Sequence, residues 1–407
     1  MRTTPPPPSS PTSPSPPESG PPGACDVLVV GAGVIGLAVA WRAARRGLRV
    51  TVVAPDATPG AASGVAAGML TPAGEAVFGE EALMRFGALS RDRYPAFVEE
   101  LERDSGRHAG YRTGGTLQVA YDTDDLARLS ELAELQARLG LPAERLTGRA
   151  CRRLEPMLAP SVRGGVLAPD DHSVDPRLLT AALAAAARRR GAGRVRDRAA
   201  RLLTSGGRAA GVLLAGGGEL RAGQVVLAAG VWTPEIGGLP DGAVPPLRPV
   251  KGQLLRLRTP SGAAPVVTRT VRGLVRGTPV YLVPRDSGEV VVGATQEEMG
   301  ADLNPTAGGV WELLRDAHTL VPGVGELEIA EICVGLRPGS PGNAPLLGPT
   351  ALPGLHLAVG HFRHGVLFTP ATGDALADVL AGEGLPAYAR PFAAARGSDG
   401  SEARQWT

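Results

Sequence analysis

Residues 26–53 read Asp26-Val-Leu-Val-Val-Gly-Ala-Gly-Val-Ile-Gly36, then Leu37-Ala-Val-Ala-Trp-Arg-Ala-Ala-Arg-Arg-Gly47, then Leu48-Arg-Val-Thr-Val-Val53. An apolar strand ends at Gly31, a glycine turn follows, an amphipathic helix runs to Gly47, and a second apolar strand begins. In that order G-x-G-x-x-G is a phosphate-binding turn. Gly31 allows the tight turn, Gly33 lets a pyrophosphate approach the backbone, and Gly36 lets helix and strand pack closely. The helix then aims its free N–H groups and positive end at the pyrophosphate. A chain with 56 glycines meets the bare spacing by chance, so the strand–turn–helix–strand context carries the reading. The segment fits NAD and FAD equally.

At 407 residues the chain exceeds one ordinary core, which predicts two domains. Hydrophobic residues at 43% and charged residues at 20% describe a globular protein. A net charge of +2 gives no reason to expect nucleic acid or an anionic membrane as partner. Lys251 is the only lysine. Cys25, Cys151 and Cys333 are far apart and match no metal spacing, so reduced cytosolic thiols and no metal are expected. The longest apolar run, Val27 to Trp41, is interrupted by glycines and too short to cross a bilayer. Met1 to Gly23 is Pro/Ser-rich without an apolar core, which predicts a solvated tail over 1–23; a second tail is expected over 396–407.

Glu80 to Ser105 has helical periodicity, with Leu83, Phe86, Leu89, Tyr94, Phe97 and Leu101 on its core face. Gly114–Ala120 reads as a strand and Asp124–Leu139 as a helix. Asp175 caps a further helix with Pro176 in its first turn. Strands are expected at Ala199–Thr204, Ala209–Leu214 and Gln224–Gly230. From Val250 the pattern is strand-rich, with Gly252–Arg258, Val266–Val271, Pro279–Pro284 and Glu289–Ala294, as in an inserted antiparallel sheet. A helix over Thr306–Leu320, a buried strand over Leu355–Gly360 and a helix over Thr369–Ala381 complete the chain. The expected fold is α/β: a discontinuous Rossmann-like nucleotide domain over 24–110, 163–235 and 335–395. A mainly antiparallel α+β substrate domain covers 111–162 and 236–334.

Four segments carry the chemistry. The run Ala61–Leu70 has almost no bulk, which suits close approach of a flat ligand; it also suits a plain surface loop. Gln224-Val-Val-Leu-Ala-Ala-Gly230 is a second strand-to-glycine turn, equally readable as a core strand. Gly335-Leu-Arg-Pro-Gly339 puts Arg337 on an irregular turn, where a guanidinium can grip a carboxylate in bidentate fashion. Gly360-His-Phe-Arg-His-Gly-Val-Leu-Phe-Thr-Pro370 opens into a helix whose N-terminus favours negative charge on a ligand. His361 and His364 read as structural or lining residues rather than acid–base catalysts.

In combination these segments resemble the FAD-dependent glycine oxidases of the D-amino acid oxidase superfamily. The resemblance runs from Asp26 to the last helix. It rests also on Ala66-Ala-Gly-Met-Leu70, Asp171-His-Ser-Val-Asp-Pro-Arg177, Ala229-Gly-Val-Trp232, Pro249-Val-Lys-Gly-Gln253, Tyr281-Leu-Val-Pro-Arg285 and Val292-Gly-Ala-Thr295. It implies non-covalent FAD, since Cys333 is out of register for a flavin linkage. Gly31, Gly33, Val34, Ile35 and Gly36 would form the pyrophosphate turn. Ala62, Ser63, Ala67, Gly68 and Met69 would contact the cofactor, with Ala200 on its adenosine side. His361, Phe362, Arg363, His364, Gly365, Val366 and Leu367 would border the isoalloxazine. Arg337 would hold the substrate carboxylate, Tyr281 would close over the substrate, and Arg363 would touch both substrate and flavin.

Two positions depart from that pattern. Ala54 stands where relatives carry the acidic residue that binds ribose, leaving Asp56 as a substitute. Gln296 stands where a methionine lines the substrate site. Lys251 is either a buried structural charge or a positive charge near the flavin. The implied reaction is oxidation of glycine, sarcosine or small D-amino acids by O2 in the cytoplasm. The enzyme would be a homo-oligomer, with hand-off of the product to thiazole synthesis for thiamine. The alternatives are a D-amino-acid or sarcosine dehydrogenase that uses another electron acceptor, and a non-catalytic FAD-binding protein.

Overall fold

The computed structural model describes residues 25–75 and 79–394; the expected tails over 1–23 and 396–407 lie outside the described residues. In chain order the elements that build the site are β1 (Cys25–Val30), α1 (Val34–Arg45), β2 (Val50–Val53), α2 (Glu81–Ser105), β3 (Thr116–Ala120), α3 (Pro176–Arg189) and β4 (Glu219–Leu227). They continue with β5 (Arg248–Arg258), β6 (Thr270–Val275), β7 (Thr278–Pro284), β8 (Glu289–Gly293), β9 (Glu328–Gly339), β10 (Leu355–Val359) and α4 (Thr369–Leu380).

The first sheet runs in the order Leu346–Pro349, β10, β4, β1, β2, Gly193–Val195. Every neighbour from β10 to Gly193–Val195 is parallel. Parallel strands need crossovers that cover the faces, so Val27–Val30 is buried on both sides, as its unbroken apolar run requires. Three helices cover one face. α1 packs against α3 and α4, and Trp41 meets Phe97 of α2 edge-on at 5.2 Å. The Trp41 indole N–H donates to Asp104 at 2.9 Å, so this buried ring keeps a partner for its polar edge.

The second sheet runs β9, β5, β8, β7, β6, β3, Gly164–Ala168, Glu144–Thr147, and is antiparallel except between β3 and β6. Its pairing corrects two of the expected boundaries. Gly164–Ala168 pairs with β3, and β9 stays paired with β5 through Gly339, so both stretches belong to this sheet rather than to the nucleotide segments.

The strand expected at Val266–Val271 instead runs Thr270–Val275. The turn decides this. Arg276 and Gly277 take φ of +51° and +81° between paired Val275 and Thr278, the conformation of a two-residue hairpin turn. The Asp125 carboxylate accepts from both turn N–H groups, at 2.8 and 2.7 Å.

Candidate active site

A cavity of about 690 Å³ lies between the glycine turn of the first sheet and the β5–β9 side of the second. The turn is shaped by contact: a Cβ on Gly31 would stand 2.3 Å from the Ala228 carbonyl oxygen, and one on Gly36 would stand 2.1 Å from that of Gly31. The N–H groups of Ala32, Gly33 and Ile35 face no acceptor among the described residues, and all three residues line the cavity. Val34 N–H donates to Ser63 Oγ at 3.1 Å, which pins the small-residue loop over the start of α1. A row of unanswered donors at a helix N-terminus fits the pyrophosphate of a dinucleotide.

Of the residues implicated in cofactor binding, Gly31, Gly33, Val34, Ile35, Asp56, Ala62, Ser63, Ala67, Gly68 and Met69 lie on the wall. So do His361, Phe362, Arg363, Gly365 and Val366. Five others do not. Gly36 is covered by the turn it packs against. Ala54 is buried, and its N–H donates to Val195 O at 3.2 Å, extending the sheet instead of facing the cavity. Ala200 lies on Ala199–Ser205, where its carbonyl accepts from Gly237 N–H. Leu367 is in the α1–α4 core. The His364 ring stacks on Phe368 with centroids 5.1 Å apart, and its Nδ1 stands 3.1 Å from Glu75 Oε2 without hydrogen-bond alignment. Asp56 is the carboxylate beside the glycine turn, exposed and paired with Arg196 at 3.2 Å and Arg194 at 3.7 Å.

Tyr281, Gln296, Arg337 and Arg363 also line the cavity. Arg337 is on strand β9, opposite Val250, and not on the irregular turn expected from its Pro-Gly neighbours. β5 pairs with both neighbours, Pro249 with Pro338 and Arg248 with Gly339, and keeps them extended. The Arg337 guanidinium donates to the carbonyls of Thr295 at 3.1 Å and Lys251 at 3.4 Å. A Cβ on Gly252 would stand 2.4 Å from it, so that glycine makes the room.

Five arginines line the cavity. Four have carboxylate partners: Arg177 with Glu331 at 2.9 Å, Arg194 with Asp56 at 3.7 Å, Arg272 with Glu75 at 3.0 Å and Arg363 with Glu80 at 2.7 Å. Of these five, Arg337 alone has no carboxylate within 4.0 Å among the described residues.

Burial pushes the Tyr281 phenol up to about 12, against the pull of Arg337, so it stays a neutral donor. The His361 imidazole is pushed down to about 3 by burial and by His364; its Nε2 meets Thr372 Oγ1 at 3.1 Å. It is therefore neutral and held. The N–H groups of Val366 and Leu367, just before α4, find no acceptor among the described residues.

Lys251 is fully buried off the cavity wall, with Nζ 2.5 Å from Asp302 and 2.7 Å from the Asn304 carbonyl. This is the geometry of a buried ion pair. Cys333 is buried among Ala67, Leu254, Val283 and Val291, and burial first, then Glu331, pushes its thiol up to about 11. Among the described residues no group of three or more metal-ligating side chains forms, and no helix is long and apolar enough to cross a membrane.

Glu75 and Arg272 are cavity residues that the sequence reading did not name. Arg272 was legible in principle: once Arg276–Gly277 is taken as the turn, Arg272 falls directly opposite Tyr281. Glu75 carried no signal, since only folding brings the segment after Leu70 to β6.

The comparisons with known proteins point the same way. The chain is 34% identical over 358 residues to the Bifunctional protein ThiO/ThiG of Trichormus variabilis, covering 87% of this chain and 52% of that one. It thus spans about half the length of that relative. The crystal structure of glycine oxidase from Geobacillus kaustophilus superposes with a TM-score of 0.84 at 30% identity, over 92% of this chain and 99% of that one. That of an iminodiacetate oxidase from Chelativorans sp. gives 0.81 at 28% identity, over 91% and 99%. Residues 26–379 match the family described as FAD dependent oxidoreductase. With a nucleotide turn, a cavity between two sheets and that match over most of its length, this chain belongs to the FAD dependent oxidoreductase (DAO) family.

Proposed function

We propose that this oxidoreductase deaminates glycine and other small amino acids, with O2 as electron acceptor. Glycine, O2 and water would give glyoxylate, ammonia and hydrogen peroxide. Arg337 carries the reading: it is the one guanidinium on the wall whose charge no carboxylate answers among the described residues.

FAD, when bound, supplies the acceptor for the substrate hydride and the route of its electron pair to O2. Residues 31–35 and Ser63 would hold its pyrophosphate without a covalent link, and the free N–H group of Val366 would favour negative charge beside it. Arg337 anchors the substrate carboxylate and so restricts how the Cα–H can point. Tyr281, on the same face of the sheet, lines the site with a neutral phenol. Among the described residues no wall group is placed as a base: Tyr281 keeps its proton, His361 is tied to Thr372, Glu75 is held by Arg272, and Asp56 is paired with Arg194 and Arg196. The substrate amine therefore sheds its proton to water before the hydride leaves.

The half-length match to a ThiO/ThiG protein supports delivery of the product to thiazole formation for thiamine. Peroxide release by the purified yellow protein across glycine, sarcosine and D-alanine tests the proposal, with glycine expected to lead. Flavin that none of these reduces without air would refute amino-acid oxidation. Flavin reduced by glycine but persisting so in air would refute the use of O2.

A further inference from the structure

Two guanidinium groups of the cavity wall belong to the Tyr281 face of the second sheet, and only one is available to an anion. Arg272 lies opposite Tyr281 in the β6–β7 register, so the two side chains share a face. Tyr281 lies across Gly293, which pairs with Leu254, and the Arg337 guanidinium lies against Gly252 two residues along β5, so Arg337 shares that face too. Arg337 is held by carbonyls alone. Arg272 donates to Glu75 Oε1 at 3.0 Å, and Glu75, 14% exposed, is itself on the cavity wall.

We propose that Glu75 is a specificity residue: by occupying Arg272 it restricts the site to amines bearing one carboxylate and excludes those bearing two. This rests on Arg337 as the anchor of the first carboxylate. A dicarboxylic amine held there brings its second carboxylate toward Arg272, whose charge is already answered, and against the Glu75 carboxylate. Like charges at such range repel in a site that water scarcely screens. Burial works to raise the Glu75 carboxyl, but His364, Arg272 and Arg363 together outweigh it and hold the group ionised. Both a glycine oxidase and an iminodiacetate oxidase share this fold, so discrimination of this kind belongs to wall residues and not to architecture.

The test uses holoenzyme and two ligands without an amine, so that nothing turns over: methoxyacetate, with one carboxylate, and diglycolate, with two. Binding is read from the flavin absorbance. Glu75→Gln is expected to tighten diglycolate by about tenfold or more while methoxyacetate changes by less than about threefold. Arg272→Gln in the Glu75→Gln background should remove the gain. A flavin-retaining Glu75→Gln protein with no gain, or a gain that survives the loss of Arg272, overturns the proposal. Should Glu75→Gln lose its flavin, Arg272→Gln alone decides. It bares Glu75 and should weaken diglycolate relative to methoxyacetate; an unchanged ratio overturns the proposal. Failure of the underlying reading looks different, because Arg337→Ala would then leave methoxyacetate affinity untouched.

Discussion

Arg337 is oriented by two backbone carbonyls, which direct a guanidinium without cancelling its charge. A carboxylate in their place would have made a neutral, closed pair, as it does at Arg272 and Arg363. Removing Arg337 should thus cost substrate binding and little else. A charge-assisted contact is worth about 1.5–3 kcal/mol, so Arg337→Ala is expected to raise KM for glycine by roughly tenfold to hundredfold with flavin content unchanged. Steady-state kinetics beside the visible spectrum checks this, and an unaltered KM would remove Arg337 from the site. Lys251 contributes its carbonyl to that orientation, while its ammonium is spent on Asp302 and Asn304. A compact ammonium meets both acceptors at a fully buried position where a planar guanidinium is wider.

At the scale of elements, the pyrophosphate turn depends on how closely α1 sits on β1. Gly36→Ala puts a methyl 2.1 Å from the Gly31 carbonyl oxygen, so helix and turn must separate. The purified variant is expected to be colourless, and one with a full flavin spectrum would show that the turn tolerates that separation. The segment bearing Glu75 is clamped in turn by Asp171, whose Oδ2 accepts from Gly74 N–H at 2.9 Å and whose carbonyl accepts from Thr116. Burial pushes the Asp171 carboxyl up to about 7, although Gly74 and Arg91 pull it down, and its Oδ1 has no hydrogen-bond donor. A raised acid is more protonated in the native state than in the unfolded chain. Its contribution therefore favours folding at low pH and is lost as pH rises from the unfolded value toward about 7. Urea unfolding at pH 5 and pH 8 should show Asp171→Asn lacking this share of the slope, at most about 1.4 kcal/mol per pH unit. Equal slopes in variant and wild type would mean that Asp171 stays ionised.

At the scale of the molecule, the cavity lies between two sheets, so a ligand filling it must couple them. FAD at a hundred times its Kd should stabilise the fold by about 2.7 kcal/mol, seen as a higher melting temperature of stripped protein on adding FAD. A melt that FAD leaves unmoved would place its binding elsewhere. Much of this architecture was legible in the chain. The parallel core around Val27–Val30, the glycine turn, the helices begun by Asp175 and Thr306, and the antiparallel insertion all follow from local signals: apolar period, caps and glycines that tolerate only close contact. The span of β9 through Gly339, and hence the setting of Arg337, did not follow, because a strand's ends depend on what pairs beside it. Nor did the adjacency of Glu75 to Arg272, nearly two hundred residues apart. The sequence by itself determined the nucleotide-binding fold and supplied Arg337, because both rest on short-range pattern. Only the tertiary structure decided which of the five cavity arginines is left without a counter-charge, because compensation depends on a carboxylate arriving from another segment.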